Sequence, residues 1–307
     1  MTEQLLAEEI YTSVLLEECM HYLAPGPKKV FVDGTLGLGG HSAALLTRSA
    51  PDGRVIAFEW DENALARSAR RLVAFADRLT IVRRNFAELA ETLAELGVDE
   101  VDGILLDVGL SSLQLDLGGR GFSFRQDELL DMRMDNRRTV TAQSLLACCR
   151  EEELADIFYY YGDERQARPI ARAIVEHRVK ESLRTTGQLV DVVSRAIPKR
   201  FHPKKIHVAT KVFQALRIAV NSELENLARA VDAGVGCLKP GGIFCVISFH
   251  SLEDRVVKRK FRENQLLEVL TSRPVTPSPQ EVAANPRSRS ARLRVTRKKI
   301  PLEGERE

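Results

Sequence analysis

The 307-residue sequence has no long apolar run. A helix that crosses a bilayer needs roughly 18 consecutive apolar residues, and no stretch of this chain approaches that length. Residues 1–18, MTEQLLAEEIYTSVLLEE, carry acidic side chains where a signal or transit peptide would be basic. We therefore expect a cytoplasmic protein without a membrane-spanning segment.

The cysteines lack the spacing of a metal site or of a disulfide framework. The chain has 5 cysteines, with no C-x-x-C pair and no histidine at a ligand spacing: Cys19, Cys148, Cys149, Cys237 and Cys245. Zinc sites and disulfide-rich domains both require regular Cys or Cys/His patterns. We expect free thiols in a reducing compartment and no metal ion.

The chain has no strong excess of either charge, because its net charge is only +2. Its distribution is uneven, however. Residues 286–299 (PRSRSARLRVTRKK) contain no acid, and residues 199–211 (KRFHPKKIHVATK) are also basic. Such runs are often solvated surfaces, but phosphate contacts require Lys or Arg. The alternative to a solvated surface is a polyanionic partner, with RNA-binding candidates Lys204, Lys205, Lys211, Arg292 and Arg294.

Short apolar runs alternate with amphipathic helices along much of the chain. Residues 29–33, 54–59, 79–82 and 101–107 are typical of buried strands separated by helices, and residues 242–248 form a fifth such run after a long helix predicted over 209–238. This alternation indicates right-handed βαβ units and a parallel sheet. The predicted fold class is a Rossmann-like α/β core with helices on both faces.

One helical segment interrupts the alternation between the fourth and fifth strands. Helical patterns cover residues 151–161, 169–178 and 187–196, and we interpret the whole stretch as an inserted helical domain. The predicted organisation is a core in two parts, residues 1–112 and 209–307, with the insert at 113–208. Residues 272–289 are rich in Pro, Ser and Asn and are predicted to form a long surface loop.

A glycine-rich turn follows the first predicted strand, in the segment DGTLGLGGHS (residues 33–42). Glycines in such a turn let the backbone pass close to a ligand. The turn alone is weak evidence, since nucleotide-binding proteins of several classes have one. A dinucleotide fingerprint would place glycine where Ser42 stands, and no P-loop motif is present.

Three acids distinguish between the classes of ligand that such a glycine turn can bind. Asp33, Glu59 and Asp107 end the first, second and fourth predicted strands, so they should meet at one edge of the sheet. Three carboxylates repel a pyrophosphate but suit a sulfonium, an ammonium and a ribose diol, all of which S-adenosylmethionine carries. The alternatives are that Glu59 is an ordinary surface acid and that Asp107 only forms a turn.

Four aromatic side chains have open interpretations. Phe86 follows the third strand and is a core residue or an adenine-stacking ring, and His250 lines a base pocket or is a loop histidine. Phe122 and Phe124 stack on an extruded base or pack the insert against the core. Ser251 and Asp254 fit a capping box at the start of a helix.

Eight segments in order resemble a bacterial family. They are similar to the 16S ribosomal RNA cytosine-N4 methyltransferases, known as RsmH or MraW, over nearly the whole chain: DGTLGLGGHS (33–42), GILLDVGLSS (103–112), RGFSF (120–124), LDMRMD (130–135), RAIVEHR (172–178), FQALRIAVNSEL (213–224), ISFHSLEDRVVK (247–258) and NPRSRSARLR (285–294). The resemblance implies a class I S-adenosylmethionine-dependent methyltransferase that acts on a decoding-centre cytosine of 16S rRNA or of the small ribosomal subunit.

The resemblance also implies site residues. The cofactor would be bound by Gly39, Gly40, His41, Glu59, Phe86, Asp107 and Gln114. The exocyclic amine of cytosine is a poor nucleophile, so the enzyme must align it and accept hydrogen bonds from it, for which Asp107 and His250 are catalytic candidates. Four positions depart from the family pattern: Tyr11, Leu113, Val208 and Lys211. These departures put the details of RNA contact in doubt, since Arg and Lys are not equivalent in gripping phosphate.

Other classes of function remain as alternatives. The three acids and the missing glycine disfavour a nicotinamide-dependent oxidoreductase. A methyltransferase of another RNA, and a non-catalytic ribosome-assembly protein with the same fold, are compatible with the sequence. Transfer of a labelled methyl group to RNA distinguishes these possibilities.

Overall fold

The computed structural model describes residues 13–111, 114 and 119–301. The chain divides into two compact units, one made of Met1–Gly109 with Leu224–Glu307 and the other of Leu110–Glu223. The second unit extends further at both ends than the predicted insert at 113–208. The helix that follows residue 208 therefore packs in the second unit.

The first unit is built on a seven-stranded sheet with the order β3-β2-β1-β4-β5-β7-β6. Neighbouring strands among β1 to β5 are parallel, whereas β7 pairs antiparallel with both β5 and β6. The strand bounds are β1 Val30–Asp33, β2 Arg54–Phe58, β3 Leu79–Val82, β4 Val101–Asp107, β5 Leu238–Ser248, β6 Leu267–Val269 and β7 Arg292–Lys298. The predicted Rossmann-like core is confirmed.

Alternate residues of the central strands face opposite sides of the sheet, as the period of two in a strand requires. Val32, Ile104 and Val246 belong to one hydrophobic cluster, while Phe31 and Leu105 belong to another. Helices cover both faces, because the strands are apolar on both sides. The helices of this unit are α1 Leu16–Leu23, α2 Gly40–Arg48, α3 Glu62–Arg71, α4 Leu89–Glu95, α10 Glu223–Cys237, α11 Ser251–Glu263 and α12 Pro279–Ala284.

The second unit is helical over most of its described length. Its helices are α5 Ala142–Cys148, α6 Glu151–Gly162, α7 Ala167–Arg178, α8 Thr186–Ala196 and α9 Thr210–Asn221. Pro169 lies in the first turn of α7, where its missing N–H costs no hydrogen bond. Among the described residues, no helix has the length and apolar character needed to cross a bilayer.

Three predictions about elements were wrong. The single helix predicted over 209–238 is two helices, because Ser222 adopts the left-handed conformation with φ 53° and ends α9. The predicted loop 272–289 contains α12, which begins at Pro279 with Ser278 as its N-cap. The basic run 286–299, predicted to be a solvated surface or a contact for a polyanion, instead contributes seven residues to β7, which lies between β5 and β6 in the sheet.

Candidate active site

The glycine turn after β1 is held by Asp33. This buried carboxylate accepts hydrogen bonds from the hydroxyl of Ser42 (2.6 Å) and from the backbone N–H of Thr35 (3.1 Å). Ser42, which stands where a dinucleotide fingerprint has glycine, thus binds the acid of the preceding strand. Asp33 therefore fixes the turn, in addition to contributing negative charge to the strand ends.

Two glycines of the turn have backbones that L side chains rarely adopt, Gly37 with φ 52° and Gly39 with φ 79°. Gly40 begins α2, and a Cβ atom there would lie 2.0 Å from Oγ of Ser13. We expected a side chain at Gly40 to fill space next to a ligand. Its nearest obstacle is instead the chain segment that leads into α1.

Glu59 follows β2 and is buried. Its Oε2 accepts a hydrogen bond from the backbone N–H of Gly37 (3.0 Å), and Oε1 accepts from those of Trp60 (2.9 Å) and Asp61 (2.8 Å). Burial raises the pKa of Glu59 to about 7, although the backbone donors oppose the increase. The carboxyl links the glycine turn to the end of β2, so it is not an ordinary surface acid.

Asp107 ends β4, next to β1, where the strand order reverses. Its backbone N–H donates to Oγ1 of Thr35 (2.7 Å). Its side-chain Oδ1 is buried and has no hydrogen-bond partner among the described residues. Burial, followed by the charges of Asp33 and Glu253, raises the pKa of Asp107 to about 8. Such an acceptor at a switch point indicates a ligand-facing group.

His41 lies in the first turn of α2 with a buried ring. Nε2 is 3.0 Å from the carbonyl oxygen of Val14, and Nδ1 is 3.9 Å from Oδ2 of Asp107. Burial lowers the pKa of His41, although the charge of Asp33 opposes this. His41 is thus placed between the segment preceding α1 and the acid that ends β4.

Phe86 and Gln114 have different surroundings. Phe86 is half-buried in a short 3-10 helix after β3, and its Cβ lies 3.0 Å from the point where a Cβ on Gly34 would be. Gln114 belongs to the second unit, where it is buried and its Oε1 accepts from the backbone N–H of Ser111 (3.0 Å). Their roles in cofactor binding stay predictions.

The loop between β5 and α11 is organised by Glu253. Its Oε2 accepts from the backbone N–H groups of Phe249 (2.8 Å) and His250 (3.2 Å), while Nδ1 of His250 accepts from the N–H of Glu253 (3.4 Å). The capping box predicted for Ser251 and Asp254 is therefore wrong, because the helix begins one residue earlier than that pairing requires, with His250 as its N-cap. Nε2 of His250 lies 3.1 Å from Oε1 of Glu253 without a hydrogen bond.

Asp254 forms a buried ion pair with β7. Arg294 donates to it from Nε (2.6 Å) and from a terminal nitrogen (3.1 Å), and Arg292 adds a contact at 3.2 Å. Burial opposes ionisation of Asp254, but these guanidinium groups hold its pKa below the usual range. The expectation that Arg294 contacts RNA phosphate is corrected, since its side chain is only 8% exposed and already paired.

The other basic candidates differ in accessibility. Lys204 and Lys205 are exposed in the second unit, and the side chain of Arg292 is 45% exposed. Lys211 donates from Nζ to the carbonyl oxygen of Asp163 (2.7 Å), the residue that ends α6. A lysine at this position stabilises the helix C-terminus, where carbonyl groups lack partners.

Comparison with known proteins identifies the family. The MraW methylase family matches residues 8–299. This chain is a member of the MraW methylase family. It is 63% identical to a protein of Desulfotalea psychrophila named "Ribosomal RNA small subunit methyltransferase H", over 95% of this chain and 99% of that protein. It is 48% identical to the protein of the same name from Geotalea uraniireducens, over 94% of this chain and 98% of that protein. The predicted family is confirmed.

Two of the four positions at which this MraW methylase departs from the family pattern lie within the described residues. Tyr11 and Leu113 lie outside the described residues. Val208 is buried next to the start of α9. Lys211 has the contact with the carbonyl oxygen of Asp163 already described.

Two aromatic candidates in the second unit of the methylase pack locally. The Phe124 ring lies 4.9 Å from that of His207 and 4.9 Å from that of Phe213, measured between centroids. Phe122 is buried beneath the guanidinium of Arg120, which is 5.1 Å from its centroid. These contacts favour packing over base stacking in this conformation.

Sequence reasoning missed three contributors to the site. Glu253 was not among the candidates, although Glu three positions after an N-cap is a recognisable capping signal. Thr35 was passed over as part of the turn. Val14 contributes only a backbone carbonyl, for which the sequence carries no signal.

Proposed function

We propose that this MraW methylase transfers a methyl group from S-adenosylmethionine to the exocyclic N4 of a decoding-centre cytosine in 16S rRNA. The names of its relatives support small-subunit rRNA as the substrate. The cytosine and its N4 atom follow from the motif resemblance described above. The observation that carries the proposal is the set of three carboxylates, Asp33, Glu59 and Asp107, at the ends of adjacent strands beside a glycine turn.

The residues present fit this cofactor. Oδ1 of Asp107 is a buried acceptor without a partner, which a cationic or hydroxyl-bearing ligand can satisfy. Gly37 and Gly39 have positive φ values, which favour glycine, so neither position carries a side chain next to the turn. In the first unit the cofactor would be bound by Gly39, Gly40, His41, Glu59, Phe86 and Asp107, and when bound it supplies an electrophilic methyl group. The role of Gln114 in cofactor binding rests on the motif resemblance alone.

The residues of the chain would then orient the amine. Alignment of the nucleophile within about 3 to 3.5 Å of the carbon it attacks contributes much of the catalysis in such transfers. Asp107 offers an acceptor oxygen for an N–H of the amine. Its pKa, raised by burial, brings that carboxyl near the working pH of a general base. His250 is the second candidate, and Glu253 fixes the backbone from which it extends.

Exposed basic residues are proposed to contact the rRNA backbone. Lys204 and Lys205 have the exposure that phosphate contacts require, and Arg292 retains part of its surface. Contacts of this kind position the nucleic acid without specifying its sequence. The proposed partner is 16S rRNA or the small ribosomal subunit, in the cytoplasm.

The test is transfer of a labelled methyl group from S-adenosylmethionine by purified protein. Free 16S rRNA, isolated small subunits and an unrelated RNA serve as acceptors, with Asp107→Asn as the catalytic control. The proposal predicts label on N4 of one cytosine in the ribosomal substrates only. Label on the unrelated RNA indicates another RNA substrate, and RNA binding without any transfer indicates a non-catalytic assembly protein.

A further inference from the structure

His41 is fixed by one contact on each side of its ring. A backbone carbonyl can only accept a hydrogen bond, so the 3.0 Å contact with Val14 requires a proton on Nε2 of His41. In a neutral imidazole the other nitrogen, Nδ1, then carries a lone pair. Nδ1 lies 3.9 Å from Oδ2 of Asp107.

A lone pair facing a carboxylate is unfavourable unless a proton lies between the two groups. A proton on the carboxyl removes this repulsion. Because burial lowers the pKa of His41 and raises that of Asp107, the proton lies on Asp107 as a carboxylic acid. The distance of 3.9 Å exceeds a hydrogen bond, and such contacts often shorten when ligands bind.

The other titratable groups near Asp107 favour the protonated state. Asp33 on β1 and Glu253 on α11 both raise the pKa of Asp107, and the buried thiol of Cys19 on α1 also interacts with its charge. Burial acts in the same direction and lowers the pKa of His41. The cluster has no cation of its own among these neighbours.

We propose that Asp107, beside the unprotonated Nδ1 of His41, holds one proton in the ligand-free enzyme and releases it when a cationic ligand binds next to the carboxyl. The released proton goes to solvent, and the O–H bonding electrons stay on the carboxyl. The pair is then unprotonated and accepts the proton that leaves the methylated amine. The N–H bond of the amine breaks, its electrons stay on nitrogen, and a new O–H bond forms on Asp107, with Nδ1 of His41 as its acceptor.

This inference rests on the proposed function, since it requires a cationic cofactor. It assigns His41 the role of a positioning residue that keeps the proton on the side of Asp107. The same coupling makes the affinity for a sulfonium dependent on pH, because binding and proton release are linked. A ligand of the same shape without the positive charge should not displace the proton.

Calorimetry in buffers of different ionisation enthalpy measures the proton count. Near pH 7, S-adenosylmethionine should release about one proton from the wild type, and S-adenosylhomocysteine, which lacks the sulfonium charge, much less. Asp107→Asn should abolish the difference between the two ligands. Glu59→Gln measures how much of the proton release comes from Glu59, whose pKa is about 7. His21→Asn is the control variant at an exposed histidine.

Nitrogen NMR of the ligand-free protein tests the geometry without activity or cofactor. The proposal predicts a neutral His41 with its proton on Nε2 near pH 7, and a changed Nδ1 signal in Asp107→Asn. A proton on Nδ1 of a neutral ring, or sulfonium binding without proton release, overturns the inference. If the wild type binds neither ligand, the proposed function itself fails and the inference fails with it.

Discussion

At the scale of single residues, the three acids differ in what already binds them. Asp33 and Glu59 accept hydrogen bonds from the turn, whereas Asp107 retains a buried oxygen without one. Their positions were predictable, because each follows an apolar strand. Their partners were not, since the donors to Glu59 depend on the path of the glycine turn. The same holds for His41, whose contact with Val14 joins residues far apart in the chain.

Glu59 can be tested by two substitutions. Glu59→Gln keeps one of the two acceptor oxygens for the backbone N–H groups and removes the charge, so we expect roughly tenfold weaker binding of S-adenosylmethionine. Glu59→Ala also leaves those donors unpaired, and the loss should approach a hundredfold, since charged hydrogen bonds contribute about 1.5 to 3 kcal/mol. Calorimetry on folded variants is the measurement, and unchanged affinity in both removes Glu59 from the site.

Asp107 should make stability depend on pH. Because its folded pKa is raised to about 8, the unfolded chain loses this proton at lower pH than the folded protein does. Asp107 therefore lowers stability progressively between about pH 4 and pH 8. In denaturant unfolding near pH 8, the free energy of unfolding of Asp107→Asn should exceed that of the wild type by on the order of a few kcal/mol. Near pH 4 this difference should disappear. The side chain is 19% exposed, so solvent reduces the effect. An equal difference at both pH values contradicts the assigned pKa.

At the scale of elements, the sequence predicted the parallel strands better than the antiparallel end of the sheet. β1, β2 and β4 are continuous apolar runs, which is typical of strands buried on both faces. β7 alternates buried apolar residues with basic ones, so its charge suggested a surface. Its Arg294 is neutralised by Asp254, a partner 40 residues away that no local pattern reveals.

The start of α2 is tested at Gly40. Gly40→Ala should weaken cofactor binding at least tenfold, because the added Cβ lies 2.0 Å from Oγ of Ser13 and the turn must shift. Adding Ser13→Gly removes the obstacle and should restore most of the affinity. Gly236→Ala is the matched control, since nothing lies within 4 Å of its Cβ. Failure of the double variant to recover would show that the ligand, rather than Ser13, requires glycine here.

The ion pair of β7 distinguishes structural from RNA-binding arginines. Arg294→Ala leaves Asp254 buried with fewer partners and should destabilise the fold by about 3 to 5 kcal/mol in urea unfolding. Lys204→Ala with Lys205→Ala should leave stability nearly unchanged and weaken RNA binding, with a shallower dependence on salt. The reverse pattern, a stable Arg294→Ala that fails to bind RNA, would reinstate Arg294 as a phosphate contact.

At the scale of the whole molecule, the family motifs anticipated more than the physical pattern did. The apolar alternation predicted a two-part core with an insert, but the compact second unit runs from Leu110 to Glu223 and includes α9. The boundary shifted because Ser222 ends α9, and a left-handed serine has no strong signal in sequence. The substrate, by contrast, has no signature in composition and follows only from the motifs.

The most direct measurement is mass spectrometry of nucleosides from 16S rRNA of cells with and without the gene. The account predicts that N4-methylated cytidine at the decoding centre disappears in the deletion strain. It should return with the wild-type gene and remain absent with Asp107→Asn. Undiminished N4-methylcytidine in the deletion strain, at the same position, would contradict the assignment of this MraW methylase to that cytosine.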